Sequence, residues 1–560
     1  MAFSVRWRSV LLDASVSVST FDRITASLCP TGHRPSTPAS SCGPPRTWKL
    51  QVIGYSRAMG NSKTVMAGPS SEASKFDKFD ERRLFYFLVA FYALVHVSLV
   101  IARRPYFGNM DDSAFLRLAD AGDPLALARY YDGFGQTAWP ANGFFRPTSF
   151  LLLNYLYSAA NALGPLALYL INSLGVVAIV VFLTNSLHTF VGTTDSLFRP
   201  LFLVGFFTWP FSVEVMMFPS LQQKVIILAV GAFVWALGRV THSGQTPPKL
   251  FALLGAILLM FGTKTQIVLL TPAVLYLLYI KLRAKDLSVR MWVLSTLTVS
   301  ILSVTVAYAA FQGNYTSGTR GSSHRDLVAL LSDKRLLMLG GSVACLGLAH
   351  AVGRRNNSSD GTTAGRTTGM SAKVLQRFGI LVGLAYVASF FVWDIRNYYL
   401  AVASISFAFL PWSVLINASR RVQRVGALIL LFNASLVAIV RVTPVYDSFF
   451  SIREFLSSEE ATLIAREEQM VVLFMSEARV RFTDYARSLG VPDIIFVTSQ
   501  QARERCEDES DVLVMGDSKL SPLSSAFREG GWQPDERVWD STRSAGYEVW
   551  SIHDSENCGP

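Results

Sequence analysis

Asp111 and Asp112 are adjacent carboxylates placed just beyond a hydrophobic run, Leu84 to Ala102, that ends at Arg103-Arg104. Two neighbouring negative charges repel each other beside a membrane surface. A bound metal, a phosphate held through a metal, or a hydroxyl awaiting deprotonation would each reward that placement. An Asp before Ser113-Ala114-Phe115-Leu116 is also a good helix N-cap. One carboxylate can cap while the other does chemistry, so the two readings are compatible.

Five further segments hold polar residues at the edges of apolar runs. Phe144-Phe145-Arg146-Pro147 puts a cation at the start of one. Such an Arg often snorkels to headgroups, and it is also suited to a phosphate or carboxylate. Glu214 sits beside Val213, Val215 and Met216 and needs a partner if buried. Trp209-Pro210 leads through it to Phe218-Pro219-Ser220-Leu221-Gln222-Gln223-Lys224, so prolines break a span end here and polar groups gather. Lys264 divides two apolar runs in Gly262-Thr263-Lys264-Thr265-Gln266. The loop 311–334 holds Tyr315, Arg320, His324, Arg325 and Asp326 among glycines, which suits either a gating loop or a simple surface loop. Trp393-Asp394-Ile395-Arg396-Asn397 supplies another cation, either paired with Asp394 or free to hold phosphate.

The elements that must position these groups are membrane helices. The 560 residues are 51% hydrophobic and only 16% charged, and apolar runs near twenty residues recur. Beyond Leu84–Ala102, apolar segments fall at 148–163, 165–187, 197–213, 224–240, 250–262, 264–282, 291–310, 335–353, 377–395, 399–417 and 425–442. If 148–163 does not cross, every strongly basic short loop falls on one side. These are Arg239 and Lys249; Lys281 to Arg290; Arg354 to Arg377; and Arg420 to Arg424. The positive-inside rule then favours an odd number of spans, about eleven, or thirteen if a segment is missed. This arrangement puts Asp111-Asp112, Glu214, Lys264, the 311–334 loop, Arg396 and the C-terminal segment on one outer face.

Three regions follow from composition. Residues 1–80, rich in Ser, Thr, Pro and Gly, read as a disordered tail, with Met59 and Met66 as alternative starts. Residues 81–442 are the membrane region, and its outer loop 103–145 carries a helical pattern from Asp111 to Tyr131 broken at Gly122-Asp123-Pro124. Residues 443–560 hold 22 Asp and Glu against 11 Lys and Arg, leaving the rest of the chain at a net +22. There, Val471–Phe474, Ile494–Val497, Asp511–Met515 and Glu548–Ile552 read as strands, and Ala478–Leu489 and Ser521–Arg528 as helices. The alternation predicts a small α/β domain. No Walker loop, GxGxxG or Ser-His-Asp pattern occurs in it. The five cysteines show no zinc spacing, and no basic stripe interleaved with aromatics points to nucleic acid.

In order and placement, these segments resemble the GT-C class of membrane glycosyltransferases, in particular protein O-mannosyltransferases and lipid A aminoarabinose transferases. The resemblance runs through Asn109-Met110-Asp111-Asp112, then Phe145-Arg146-Pro147-Thr148, Gly164-Pro165, and a span carrying Tyr169 and Asn172. Phe211–Lys224 and Thr263-Lys264-Thr265-Gln266 complete it. Tyr169 stands where many such enzymes have His, and Gln266 where many have Glu. The resemblance implies a polyprenyl-phosphate sugar donor and a hydroxyl acceptor on a lipid, glycan or protein of the cell envelope. Asp111 or Asp112 would act as base, with inversion at the anomeric carbon. Arg146, Lys264 and Arg396 are then the phosphate cations, with His324 and Arg325 as secondary candidates and Glu214 nearby. Asp111 or Asp112 would also suit a divalent metal ion. The location implied is the inner cell membrane, with the C-terminal domain outside. The competing reading is a transporter or flippase of lipid-linked saccharides, which ordinarily places charges mid-span and shows internal repeats.

Overall fold

A computed structural model describes residues 81–105, 115–116, 118–132, 146–192, 197–242, 246–312, 332–356, 363–390, 397–416 and 418–458, and strand segments between 471 and 552. Asp111, Asp112, His324, Arg325 and Arg396 lie outside the described residues, as do the N-terminal tail and the helices expected at 478–489 and 521–528.

The protein is a mainly helical polytopic membrane protein. Helix α1 (Glu81–Arg103) is followed by the short α2 (Ala126–Asp132), then α3 (Pro147–Leu163) and α4 (Pro165–Val191). Next come α5 (Phe198–Thr208), α6 (Pro210–Met217), α7 (Gln223–His242) and α8 (Pro247–Phe261). A 3-10 segment, Thr265–Leu270, leads into α9 (Thr271–Arg283), followed by α10 (Val289–Gln312), α11 (Lys334–Asn356) and α12 (Thr363–Ser389). A second 3-10 segment, Asn397–Ala401, precedes α13 (Ser404–Leu415) and α14 (Arg420–Leu456).

Among the described residues, eight helices are long and apolar enough to cross a membrane, or nine if the pair α5 and α6 makes one span. Two shorter apolar helices, Pro247–Phe261 and Tyr399–Leu415, accompany them. Helix α3, at 17 residues, is not among the candidates. The apolar run at 197–213 reads as one segment in sequence, yet it is broken at Trp209-Pro210, where the two pieces meet at 78°. Pro210 has no N–H to continue the ladder, and it holds Trp209 in an extended conformation with ψ of 121°.

Proline also sets the starts of α3, α4, α8 and α9, where a missing N–H costs nothing. Gly164, between α3 and α4, has φ of +84°, a conformation closed to most side chains, so the chain can reverse there in a single residue. Helix α14 spans 37 residues, about 55 Å at the helical rise. It therefore extends well past a hydrocarbon layer of ~30 Å and leads out to the C-terminal segment.

Most buried apolar side chains form one continuous core running through α1 and α4 to α14. A smaller cluster joins Phe115, Leu127 and Ala128 of the outer loop to Phe150, Leu153 and Tyr157 of α3. The same cluster includes Tyr169, Val213, Met217 and Tyr446. Close approach fixes the main core locally. A Cβ placed on Gly379 of α12 would lie 2.6 Å from Phe409 Cδ2 of α13 and 3.1 Å from Leu346 Cδ2 of α11. Gly379→Ala is expected to destabilise the protein by about 1–3 kcal/mol through overpacking, seen as a lower unfolding temperature in detergent.

In the C-terminal segment, β1 (Val471–Phe474), β2 (Ile495–Val497), β3 (Val512–Asp517), β4 (Glu536–Asp540) and β5 (Tyr547–Ile552) form a five-stranded sheet in the order β2-β1-β3-β5-β4. Strand β1 pairs in parallel with β2 and β3, whereas β5 runs antiparallel to both β3 and β4. Strand β4, Glu-Arg-Val-Trp-Asp, carries three charges in five residues, so no apolar run announces it in the sequence.

Candidate functional site

The outer loop is pinned to α3 just beyond the acidic pair. Phe115, three residues after Asp112, is buried edge-to-face against Phe150 and Tyr157, with centroid distances of 6.0 and 5.3 Å. Burying such a ring is worth roughly 1.5–3 kcal/mol. Asn154, fully buried on α3, donates to the Asp120 and Asp123 carbonyls at 2.6 and 3.3 Å and accepts from Asp120 N at 3.1 Å. Asn161 donates to the Leu116 carbonyl at 2.9 Å. One helix therefore holds the chain on the C-terminal side of Asp111-Asp112, and the same helix begins at Arg146.

From Arg146 a chain of contacts runs around one end of the bundle. Arg146, half-buried and 5.9 Å from the Phe150 ring centroid, donates to Gln222 Oε1 at 3.2 Å. On the next turn, Thr148 N donates to the Gly262 carbonyl at 2.9 Å and Ser149 Oγ to the Thr263 carbonyl at 2.5 Å. Gln223 Nε2 donates to Gln266 Oε1 at 3.4 Å. Lys264 lies 4.8 Å from the Tyr399 ring centroid, in the second 3-10 segment. The starts of α3, α7 and the Thr265–Leu270 segment therefore meet, with the first N–H groups of α3 removed by Pro147 or spent on the Gly262 carbonyl.

Burial is high for so polar a place. Gln222, Lys224 and Lys264 are 5–6% exposed, Ser220 is 3% exposed, and Gln223 and Thr263 are fully covered. Lys224 donates to Asn172 Oδ1 of α4 and to the Pro219 carbonyl. Asn172 in turn donates to the Val215 and Met216 carbonyls at 3.1 and 2.8 Å, at the end of α6. One amide thus ties together α4, the end of the bent pair and the start of α7. Beside it, Glu214 accepts from Arg441 of α14 at 2.9 Å. Tyr169 packs edge-to-face on Tyr446 at 5.6 Å.

Of the residues singled out in the sequence, Arg146 and Lys264 belong to this linked set, and Glu214 lies on α6 next to Val215, whose carbonyl Asn172 holds. The acidic pair, His324, Arg325 and Arg396 fall outside the described residues, although Arg396 directly precedes the segment bearing Tyr399. Lys224 and Arg441 were not among the predicted site residues. Lys224 had a signal, a cation opening an apolar run, whereas Arg441 is 227 residues from its partner and had none. Among the described residues no group of three or more His, Cys, Asp or Glu side chains is gathered as a metal would require.

No family model and no curated protein sequence matches this chain. Solved structures similar to it include two of one protein. The crystal structure of ArnT from Cupriavidus metallidurans bound to undecaprenyl phosphate aligns over 86% of this chain and 99% of that one, with a TM-score of 0.38 and 12% identity. The apo-state crystal structure of the same protein aligns over 88% and 100%, with a TM-score of 0.37 and 12% identity.

Proposed function

We propose that this protein is an integral membrane glycosyltransferase that moves a sugar from a polyprenyl-phosphate donor to a hydroxyl of a cell-envelope lipid, glycan or protein. The observation that carries this reading is the meeting of three helix starts with Arg146, Lys224 and Lys264 at one polar end of an apolar bundle. A lipid phosphate needs that combination, with charge-assisted donors for its headgroup beside a membrane for its chain. Departure of the sugar leaves the phosphate as a stable anion. The protein's work is then positioning, removal of one proton and holding of phosphate charge.

In this reading Asp111 or Asp112 accepts the acceptor's hydroxyl proton, and that oxygen attacks the anomeric carbon from the face opposite the phosphate. The support for this role is sequence position: the pair follows α1 and precedes the stretch at Phe115 and Asp120 that α3 holds. Arg146 and Lys264 bind the phosphate, while Lys224, locked to Asn172, shapes the cradle. Arg396, His324 and Arg325 are further candidates for phosphate contact. A divalent ion on Asp111 or Asp112 would supply additional positive charge. The bent pair and the two shorter apolar helices bring the crossings to eleven, with the C-terminal α/β domain outside the inner membrane.

The test is a panel of polyprenyl-phosphate sugars offered to the full-length protein in vesicles, with transfer and donor consumption followed by chromatography. Donor consumed with product formed supports transfer. Donor that reaches the opposite leaflet chemically unchanged identifies a flippase instead. Arg146→Gln and Lys264→Met are each expected to raise the KM for donor roughly tenfold or more, the loss of a hydrogen bond to a charged group. An unchanged KM in both variants would remove them from the phosphate site.

A further inference from the structure

At the end of the bundle opposite the proposed reaction, a cleft of about 190 Å³ opens between α4 and α7. Its walls include Ser186 and Phe190 of α4, and Val234, Trp235, Gly238 and Arg239 of α7. We propose that this cleft binds the phosphate headgroup of an anionic phospholipid in the leaflet at the basic end of the protein.

Four observations point to that occupant. The first is charge. Arg239 is exposed at the rim, its guanidinium carbon 5.5 Å from the Trp235 ring centroid. It also opens the series of basic loops that the positive-inside rule assigns to the cytoplasmic side, where anionic lipids attract clustered Lys and Arg. Second, Ser186 lines the cleft at 3% exposure, and its Oγ has no hydrogen-bond partner among the described residues. A buried hydroxyl left unanswered costs free energy, and a phosphate oxygen in the cleft accepts from it. Third, Trp235 is 44% exposed beside the cleft. An amphipathic ring at the end of a membrane helix belongs at headgroup depth, with the acyl boundary against its apolar face.

The fourth observation concerns the helix end. The end of α4 leaves carbonyls open, and these repel an anion. Phe190 O is already answered by Lys281 Nζ at 3.4 Å, and that ammonium also lies 4.6 Å from the Phe190 ring centroid. The same ammonium pairs with Asp286 Oδ2 at 3.3 Å, so it answers the carbonyl without adding net charge behind the cleft wall. At Gly238 the two helices approach closely, since a Cβ there would already be in van der Waals contact with Phe190, 3.6 Å from its Cα. The site takes a phosphodiester and its glycerol, with acyl chains continuing along the lipid-facing side of α7.

The test uses the full-length protein in phosphatidylcholine vesicles containing a minor fraction of brominated phosphatidylglycerol or brominated phosphatidylcholine. Quenching of Trp235 is isolated as the difference between wild type and Trp235→Phe. The brominated phosphatidylglycerol is expected to be enriched at Trp235 by about fivefold, the preference one basic residue confers near an anionic surface. Arg239→Gln should abolish the preference and Arg239→Lys should keep most of it. Both substitutions fall on an exposed side chain, so folding is not at stake. Ser186→Leu, which fills the cleft, should weaken quenching by the anionic lipid. Equal quenching by the two lipids, or a preference that survives Arg239→Gln, would overturn the proposal. Displacement of the brominated lipid by inorganic phosphate would overturn it too, by assigning the cleft to a soluble anion. Because none of these readouts depends on sugar transfer, the proposal stands or fails separately from the proposed reaction.

Discussion

Asp111→Asn and Asp112→Asn are expected to separate base from orienter. The variant that loses the base should transfer sugar about 10²–10⁴-fold more slowly, the usual contribution of a positioned general base. The other should lose less, and the double variant should be no worse than the weaker single one if the two carboxylates act as a unit. Asparagine keeps the size and the helix-capping ability of aspartate, so a cap alone predicts near-normal turnover. The measurement is single-turnover transfer in vesicles at saturating donor, which isolates chemistry from phosphate binding. Equal rates in wild type and the double variant would remove both residues from the mechanism. Arg146→Gln and Lys264→Met should instead act mainly through KM, so the two kinds of defect are distinguishable.

Asn172→Leu is expected to be the most damaging substitution to the described architecture. Leucine is nearly the same size, so little space is created. The loss is polar, because the Val215 and Met216 carbonyls lose their donor and Lys224 Nζ loses its amide acceptor. All lie in a buried region with Asn172 3% and Lys224 6% exposed. Leaving such groups unsatisfied costs on the order of 3 kcal/mol. The readout is the unfolding temperature of the purified protein in detergent. Asn172→Asp tests the direction of the bonds, since a carboxylate still accepts from Lys224 but cannot donate to the two carbonyls. It should be intermediate. If Asn172→Leu unfolds at the wild-type temperature, Asn172 is not a structural hub.

Much of the membrane architecture was legible in the sequence, and for a simple reason. A helix in hydrocarbon satisfies its own backbone, so span positions follow from local apolar length alone. Leu84–Ala102 lies within α1, 291–310 within α10 and 425–442 within α14. The break at Gly122-Asp123-Pro124 also appears, between the helical turn near Phe115 and α2. The bend at Trp209-Pro210 was not legible, because hydropathy has no directional component. A proline in an apolar run marks a weak point without specifying a 78° turn. Strand β4 was missed for the opposite reason. Its charges hide it, and pairing with β5 rather than local composition makes it a strand.

The candidate site divides in the same way. Arg146 and Lys264 stand out in sequence because a cation at the edge of an apolar run is costly and therefore conspicuous. Arg441 looks ordinary, and Asn172 enters only as one polar residue of a span in the resemblance; their roles come from partners 227 and 43 to 52 residues away. What the sequence by itself determined is which segments enter the membrane and which cations lie at their edges, since both depend on free energies of transfer that each short segment carries alone. What only the tertiary structure decided is that the starts of α3, α7 and the Thr265–Leu270 segment share one polar end and that Asn172 ties α4 and the end of α6 to the start of α7. Those contacts depend on helix packing and directional hydrogen bonds between distant residues, which no local pattern encodes.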